Sequence, residues 1–208
     1  MSQRPVIDAG PALNFLAVNQ ARLLIGVLGE ISTPETVETE VLRKARTDRR
    51  FEPVEREWSK LTPRWIEVLS DDWTELDSVG SRLARMPLDE RKKHAKDLGE
   101  LMVVAHALVA AEKGQDVTVI IDEQAGAAMA TVEAGNLDRR RAAGKPVGRI
   151  LVVNTATILE KAVQKNLVKD KTATRSLYRR LRDLDDGLVP IEQTSLLSPT
   201  LWAPPSSD

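Results

Sequence analysis

Two rhythms of apolar residues alternate along the chain. Short apolar runs of strand type stand at Pro5–Ile7 (PVI), near Glu30–Ser32, at Trp65–Leu69, at Val117–Ile121 (VTVII) and at Ile150–Val153 (ILVV). Helical patterns separate them. Two cover about Ala12–Val18 and Ala21–Leu28; a third opens at Thr33-Pro34 and runs to about Ala45. Others fall near Val54–Lys60, Trp73–Ala84, Leu101–Ala111 and Gln124–Ala134, after Asn154-Thr155, and near Thr172–Leu184. Pro11 and Pro34 suit first helical positions, where a missing N–H costs nothing. Leu101–Ala111 has one polar residue, His106, and so predicts a buried helix. VTVII is continuous rather than alternating, as in an interior parallel strand. Strands alternating with helices predict an α/β fold: a three-layer α/β/α sandwich on a mainly parallel central sheet. The stretch from Thr47 to Lys96 is the least regular, and NLDRRRAAGKPVGR, from Asn136 to Arg149, is expected to be a basic loop.

Composition narrows this picture. A length of 208 residues suits one domain, expected over 1–185, with a Pro-rich tail at 186–208 that is irregular and frays at its closing Ser-Ser-Asp. Hydrophobic residues make up 42% of the chain, so a sizeable core needs no disulfide, and cysteine is absent. That absence excludes thiolate catalysis and sulfur-ligated zinc, and it fits a reducing cytosol. With only His94 and His106 available, a metal site must be built mainly from oxygen, which suits Mg²⁺ or Mn²⁺. The net charge of −1 excludes a uniformly basic nucleic-acid binder but leaves room for local patches. The opening MSQRPVIDAG has no signal-peptide core and no run is long enough to span a membrane, so a cytoplasmic location is expected.

The candidate chemistry lies at the ends of the strands. Asp8 follows VI, Asp122 follows VII, and Asn154-Thr155 follows LVV. Ligands of open parallel sheets bind outside the carboxyl ends of the strands, so three strands deliver polar groups to one edge. Asp97 and Glu100, three apart, share a face at the start of the helix that precedes the Asp122 strand. Glu40 flanks the stripe of Val37, Val41 and Ala45, while Glu38 lies nearer its centre, so periodicity does not choose between them. Each acid also has a plain structural reading: Asp97 with Glu100 as a capping box, Asp8 as a helix cap, Glu40 as a solvated surface acid. Gathered together, the carboxylates repel one another unless a cation neutralises them. The chain carries no G-x-G-x-x-G, no phosphate-binding G-x-x-x-x-G-K-[ST] and no G-x-S-x-G elbow. Gly10 stands where an aspartyl-phosphate phosphatase needs a second Asp. Metal-assisted hydrolysis is the enzymatic reading that remains.

Five segments, VIDAGPALNFLA, TPETVETEVLRKA, DLGELMVVAHAL, VTVIIDEQAGAAMA and ILVVNTATILEKAVQKNLV, resemble in order the segments of PIN-domain nucleases. The resemblance covers about residues 4–185 and is weak in the middle. It implies Asp8, Glu40, Glu100 and Asp122 as the metal-binding and catalytic acids, through the patterns V-x-x-E-V and Gly-Glu, with Asp97 and Glu123 as lesser participants. It further implies a Mg²⁺- or Mn²⁺-dependent ribonuclease, with one or two ions among the four acids. Asn154 or Thr155 would bond Asp8 or the scissile phosphate. In prokaryotes many such proteins are toxins of VapC type, held inactive by a cognate antitoxin, and a homodimer is a family expectation. Two positions depart from the pattern. Asn154 stands where a Gly commonly precedes the Thr, and IIDEQAG has Glu123 and no arginines where a second Asp and arginines are common.

An RNA substrate needs cations for its phosphates. Arg139, Arg140, Arg141, Lys145 and Arg149 lie in the expected basic loop, and Lys92, Lys93 and Lys96 precede the acidic helix start; a solvated loop is the plain alternative. Trp58, Trp65 and Trp73 are candidates for base stacking, with core or partner packing as the alternative. The apolar Leu196–Trp202 stretch is expected to cover a groove or meet another subunit. The leading expectation is a metal-dependent ribonuclease, the toxin of a toxin–antitoxin pair. Two other readings stay open: a catalytically degenerate module that binds RNA or a protein through the same acids, and a hydrolase of a small phosphorylated compound.

Overall fold

The structure, a computed structural model, describes residues 3–185 and 187–203. Five strands form one sheet: β1 (Val6–Ile7), β2 (Ile31–Pro34), β3 (Ile66–Leu69), β4 (Val117–Ile120) and β5 (Ile150–Val153). Their order is β3-β2-β1-β4-β5 and every pairing is parallel. The sheet is therefore wholly parallel where the sequence predicts it to be mainly so, and helices flank it in an α/β/α sandwich. Val6, Ile7, Val119 and Ile120 are buried, as strands covered on both faces must be.

Ten α-helices connect and cover the strands among the described residues: α1 (Ala9–Ala17), α2 (Ala21–Leu28), α3 (Glu35–Thr47), α4 (Glu52–Leu61), α5 (Thr74–Ala84), α6 (Leu88–Lys92), α7 (Leu98–Glu112), α8 (Gln124–Ala142), α9 (Thr155–Gln164) and α10 (Lys171–Arg182). α7 is the central one. Every residue from Leu98 to Ala111 is buried, and the helix touches β1, β2, β4 and β5 while packing on α3, α5 and α8. Its lack of a polar face is what the sequence leads one to expect of a helix enclosed on all sides.

One helix is longer than expected, one is not foreseen, and the tail packs on the domain. α8 does not end near Ala134. It continues through Gly135 to Ala142, because Leu137 is fully buried and no proline or positive-φ glycine occurs before Gly144, whose φ is 79°. Arg139, Arg140 and Arg141 are thus helical, and the loop before β5 spans only 143–149. The short helix α6 lies in the unclear middle stretch and is not anticipated. Lastly, the tail is not loose. Leu188 and Leu196 belong to the main core, the indole N–H of Trp202 donates to the Leu196 carbonyl at 2.8 Å, and the 3-10 turn at Thr200–Trp202 packs on α9. The Leu196–Trp202 stretch therefore covers its own domain. The closing Ser-Ser-Asp, expected to fray, lies outside the described residues. No helix among the described residues is long and apolar enough to cross a membrane.

Candidate metal centre

β1 and β4 are neighbours, yet the chain leaves β1 toward β2 and returns later to β4 on the other side. The carboxyl ends of such a strand pair splay apart and leave a crevice. Asp8 and Asp122 stand at its two sides, and the Asp8 N–H donates to the Ile120 carbonyl at 3.0 Å. A cleft of about 1150 Å³ opens there, lined by Asp8, Glu40, Asp97, Glu100, Asp122 and Glu123 among others. These acids, from four separate segments, thus share one cavity with others.

Each arrives for a local reason. Asp8 is the residue before α1, but its side chain makes no capping bond. Asp97 precedes α7 in the left-handed region, φ 56°, and does not cap either, so the capping-box reading of Asp97 and Glu100 fails. Gly99 brings α7 close to α3: a Cβ at that position would sit 3.2 Å from Glu40 Oε2 and 3.6 Å from Asp8 Oδ1. Gly126 does the same for α8, where a Cβ would come within 2.8 Å of Glu100 Oε2. The structure also separates Glu38 from Glu40. Glu38 accepts the indole N–H of buried Trp58 at 2.9 Å, while Glu40 faces the cleft and pairs with Lys44 at 3.2 Å.

The electrostatics are those of crowded anions. Burial, with Coulomb repulsion from Glu40, Glu100 and Asp122, pushes Asp8 up to about 7 against one opposing backbone bond from Ala9. Burial, then Glu123 and Asp97, push Glu100 up to about 7. Asp122 is pushed up to about 6 by burial and by Asp185, although Thr155 opposes this with two bonds, N–H at 2.7 Å and Oγ1 at 2.6 Å. Asp71, in the same cleft, behaves differently. Burial raises it, but hydrogen bonds from His106 at 2.8 Å and from the N–H and hydroxyl of Thr36 together hold it below its ordinary value. Desolvation raises any carboxyl; only donors or cations restore its charge.

Those facts test the fit of a divalent ion. The donor set is all carboxylate, matching Mg²⁺ or Mn²⁺ chemistry, and Asp8, Glu100 and Asp122 have no cationic side chain paired with them among the described residues. As the side chains stand, no three Asp, Glu or His among the described residues converge closely enough to hold an ion. The residues therefore fit the group in the kind of donor they offer, while an ion would require acids lining the cleft to close toward one point.

The remaining expected residues divide. Thr155 bonds Asp122 rather than Asp8, and Asn154 caps its own helix by accepting from Thr157 N–H at 2.9 Å. Arg139, Arg140, Arg141 and Lys145 do not line the cleft; Arg139 stands fifteen residues along α8 from Gln124 at the cleft, about 22 Å away. Arg140 pairs with Glu112 at 2.7 Å and Arg141 with Asp138 at 2.6 Å. Trp58 is core, Trp65 stacks under Arg64, and Trp73 packs beneath Lys113 and beside His106.

Asp185 and Asp71 are among the cleft residues that sequence reasoning missed; Asp185 accepts from Asn14 Nδ2 at 2.7 Å, and Asp71 bonds His106 Nε2 at 2.8 Å. The available signals were their partners. Asn14 and His106 are polar residues inside apolar helices, and buried polar groups require partners. Comparison of the chain with protein-family models, curated protein sequences and solved structures gave no match.

Proposed function

We propose that this chain is a divalent-metal-dependent endoribonuclease of the cytoplasm, acting as the toxin of a toxin–antitoxin pair. The observation that carries the enzymatic reading is the convergence of Asp8, Glu40, Glu100 and Asp122 on one cleft at the β1/β4 switch point, with three of them strained toward neutrality. The toxin role rests on the resemblance of the motifs to VapC-type nucleases.

A divalent cation held among these acids supplies Lewis-acid activation of water and neutralises charge on a phosphodiester. The chain's own residues provide the rest. Asp8 and Asp122 are fixed by the ends of β1 and β4, and Thr155 orients Asp122 through both carboxylate oxygens. Arg43, Lys44, Lys92 and Lys96 also line the cleft, giving a polyanionic strand favourable charges around an acidic floor. Protonated acids bind metal poorly, so deprotonation of Asp8 and Glu100 near neutral pH makes ion binding stronger as pH rises.

The deciding experiment incubates purified protein and single-stranded RNA with Mn²⁺, with EDTA, and with the Asp122→Asn variant. Cleavage with Mn²⁺ alone in the wild type, abolished by chelation and by the variant at unchanged fold, is the expected result. Equal cleavage by wild type and variant would refute the assignment. Metal and RNA binding without cleavage would leave the degenerate binding module in its place.

A further inference from the structure

A second cavity lies beside the carboxylate cleft, with a volume of about 580 Å³. Arg175, Arg179 and Arg182 line it, at i, i+4 and i+7 on one face of α10. That stripe is about 10 Å long, enough for two or three phosphates at the ~3.4 Å advance of a stacked strand. Asp183 and Glu192 also line the groove, but neither is within ion-pair distance of an arginine among the described residues. The side chains of Arg175 and Arg179 have no hydrogen-bond or ion-pair partner among the described residues, whereas Arg182 donates Nε–H to the Leu188 carbonyl at 3.2 Å. Exposed arginines at these spacings repel one another only weakly in water, and their guanidinium forks suit an anion that joins them.

The two cavities are continuous along the chain. Arg182 and Asp183 line the groove, and Leu184 and Asp185, the next residues, line the cleft. Tyr178, in the wall of the groove, is close enough to Asp122, Arg182 and Asp185 to feel their charges, and its hydroxyl is fixed on the Val189 carbonyl at 2.7 Å. By contrast the arginines of α8 lie at the helix end remote from the cleft, with acid partners for Arg140 and Arg141.

We propose that a single-stranded nucleic acid occupying the carboxylate cleft runs out over α10, its phosphates held by Arg175, Arg179 and Arg182. This rests on the nuclease reading for what fills the cleft, and it names the path of the strand beyond it. Arginine forks match phosphate oxygens and read no base, so RNA and DNA of equal length bind this stretch alike.

The test measures binding by fluorescence anisotropy with Mn²⁺ in the Asp122→Asn background, where no cleavage is expected, with labelled strands of about 12 and about 4 nucleotides, within the range of single-strand site sizes. The double variant Arg175→Gln with Arg179→Gln is compared with Arg140→Gln with Arg141→Gln, and circular dichroism checks that both remain folded. The α10 variant is expected to weaken the longer strand about tenfold and to flatten its log affinity against log salt by about 1.4, from two lost phosphate contacts. The shorter strand, confined to the cleft, is expected to bind unchanged, and the α8 variant to match the wild type with both. An unchanged affinity and salt slope for the longer strand in the α10 variant would overturn the proposal and leave these arginines to an acidic protein segment. The two readings fail separately. Binding through α10 with no cleavage in Mn²⁺ refutes only the nuclease, and undiminished cleavage and binding by the α10 variant refute only the path.

Discussion

The acids of the cleft and the arginines at the far end of α8 are both clusters of like charge, and the fold treats them in opposite ways. Arg140 and Arg141 are met by Glu112 and Asp138 at the surface, where water and partners dissipate their repulsion. Asp8, Glu100 and Asp122 are drawn inward, away from water and without an ion-pair partner among the described residues, until burial raises all three. Asp71 shows that the cleft need not do this. With His106 and Thr36 as donors, a carboxylate in the same cleft is held below its ordinary value. What distinguishes Asp71 from the three raised acids is therefore its donors, not the number of charges around it.

The largest effect that could break this contrast is on activity. Asp122→Asn is expected to lower Mn²⁺-dependent RNA cleavage by more than about a hundredfold, while Thr155→Val, which removes one bond to Asp122, is expected to cost about 10–100-fold. A gel assay of both variants ranks them, and equal activity in Thr155→Val and Asp122→Asn would deny Thr155 its orienting role. Next comes packing. Gly126→Ala places a Cβ 2.3 Å from Ile121 Cδ1 and 2.8 Å from Glu100 Oε2, and is expected to destabilise by about 1–3 kcal/mol in a denaturant titration.

The pH dependence of stability sharpens the comparison. Asp8 ionises in the ordinary carboxylate range when unfolded and at about 7 when folded, so the folded state holds the proton more tightly between those values. The metal-free protein is thus expected to melt higher at pH 5 than at pH 8, the advantage being lost as pH rises through about 7. With saturating Mn²⁺ the order is expected to reverse, since binding the deprotonated acids stabilises the fold. Asp8→Asn is expected to raise the metal-free melting temperature at pH 8 by about 2–4 °C per kcal/mol of relieved repulsion, and to remove the gain from Mn²⁺. Thermal scans at the two pH values check both. The smallest effect belongs to α8: Arg140→Gln is expected to change stability by less than about 1 kcal/mol, because its ion pair is half exposed.

Much of this site was legible because it lies next to strong local signals. VTVII and ILVV are continuous β-branched and apolar runs that read as strands, so Asp122, Asn154 and Thr155 fall at strand ends, although Leu151 on the edge strand β5 is exposed. The uniform apolarity of α7 placed Glu100 on a buried helix. The choice of Glu40 over Glu38 was not legible from periodicity, because it depends on the Trp58 indole of α4, twenty residues away, claiming Glu38. Asp185 was out of reach for the same reason. Its place in the cleft depends on Asn14, at the opposite end of the domain's sequence.

The order of strands and helices, the burial of α7 and the position of acids after strands follow from the chain alone, because period and side-chain volume act over a few residues. Which strands adjoin, and therefore which acids meet, was decided only in the folded molecule. The reversal of strand order between β1 and β4 opened the crevice, and burial there raises carboxyls that would ionise at ordinary pH on the surface.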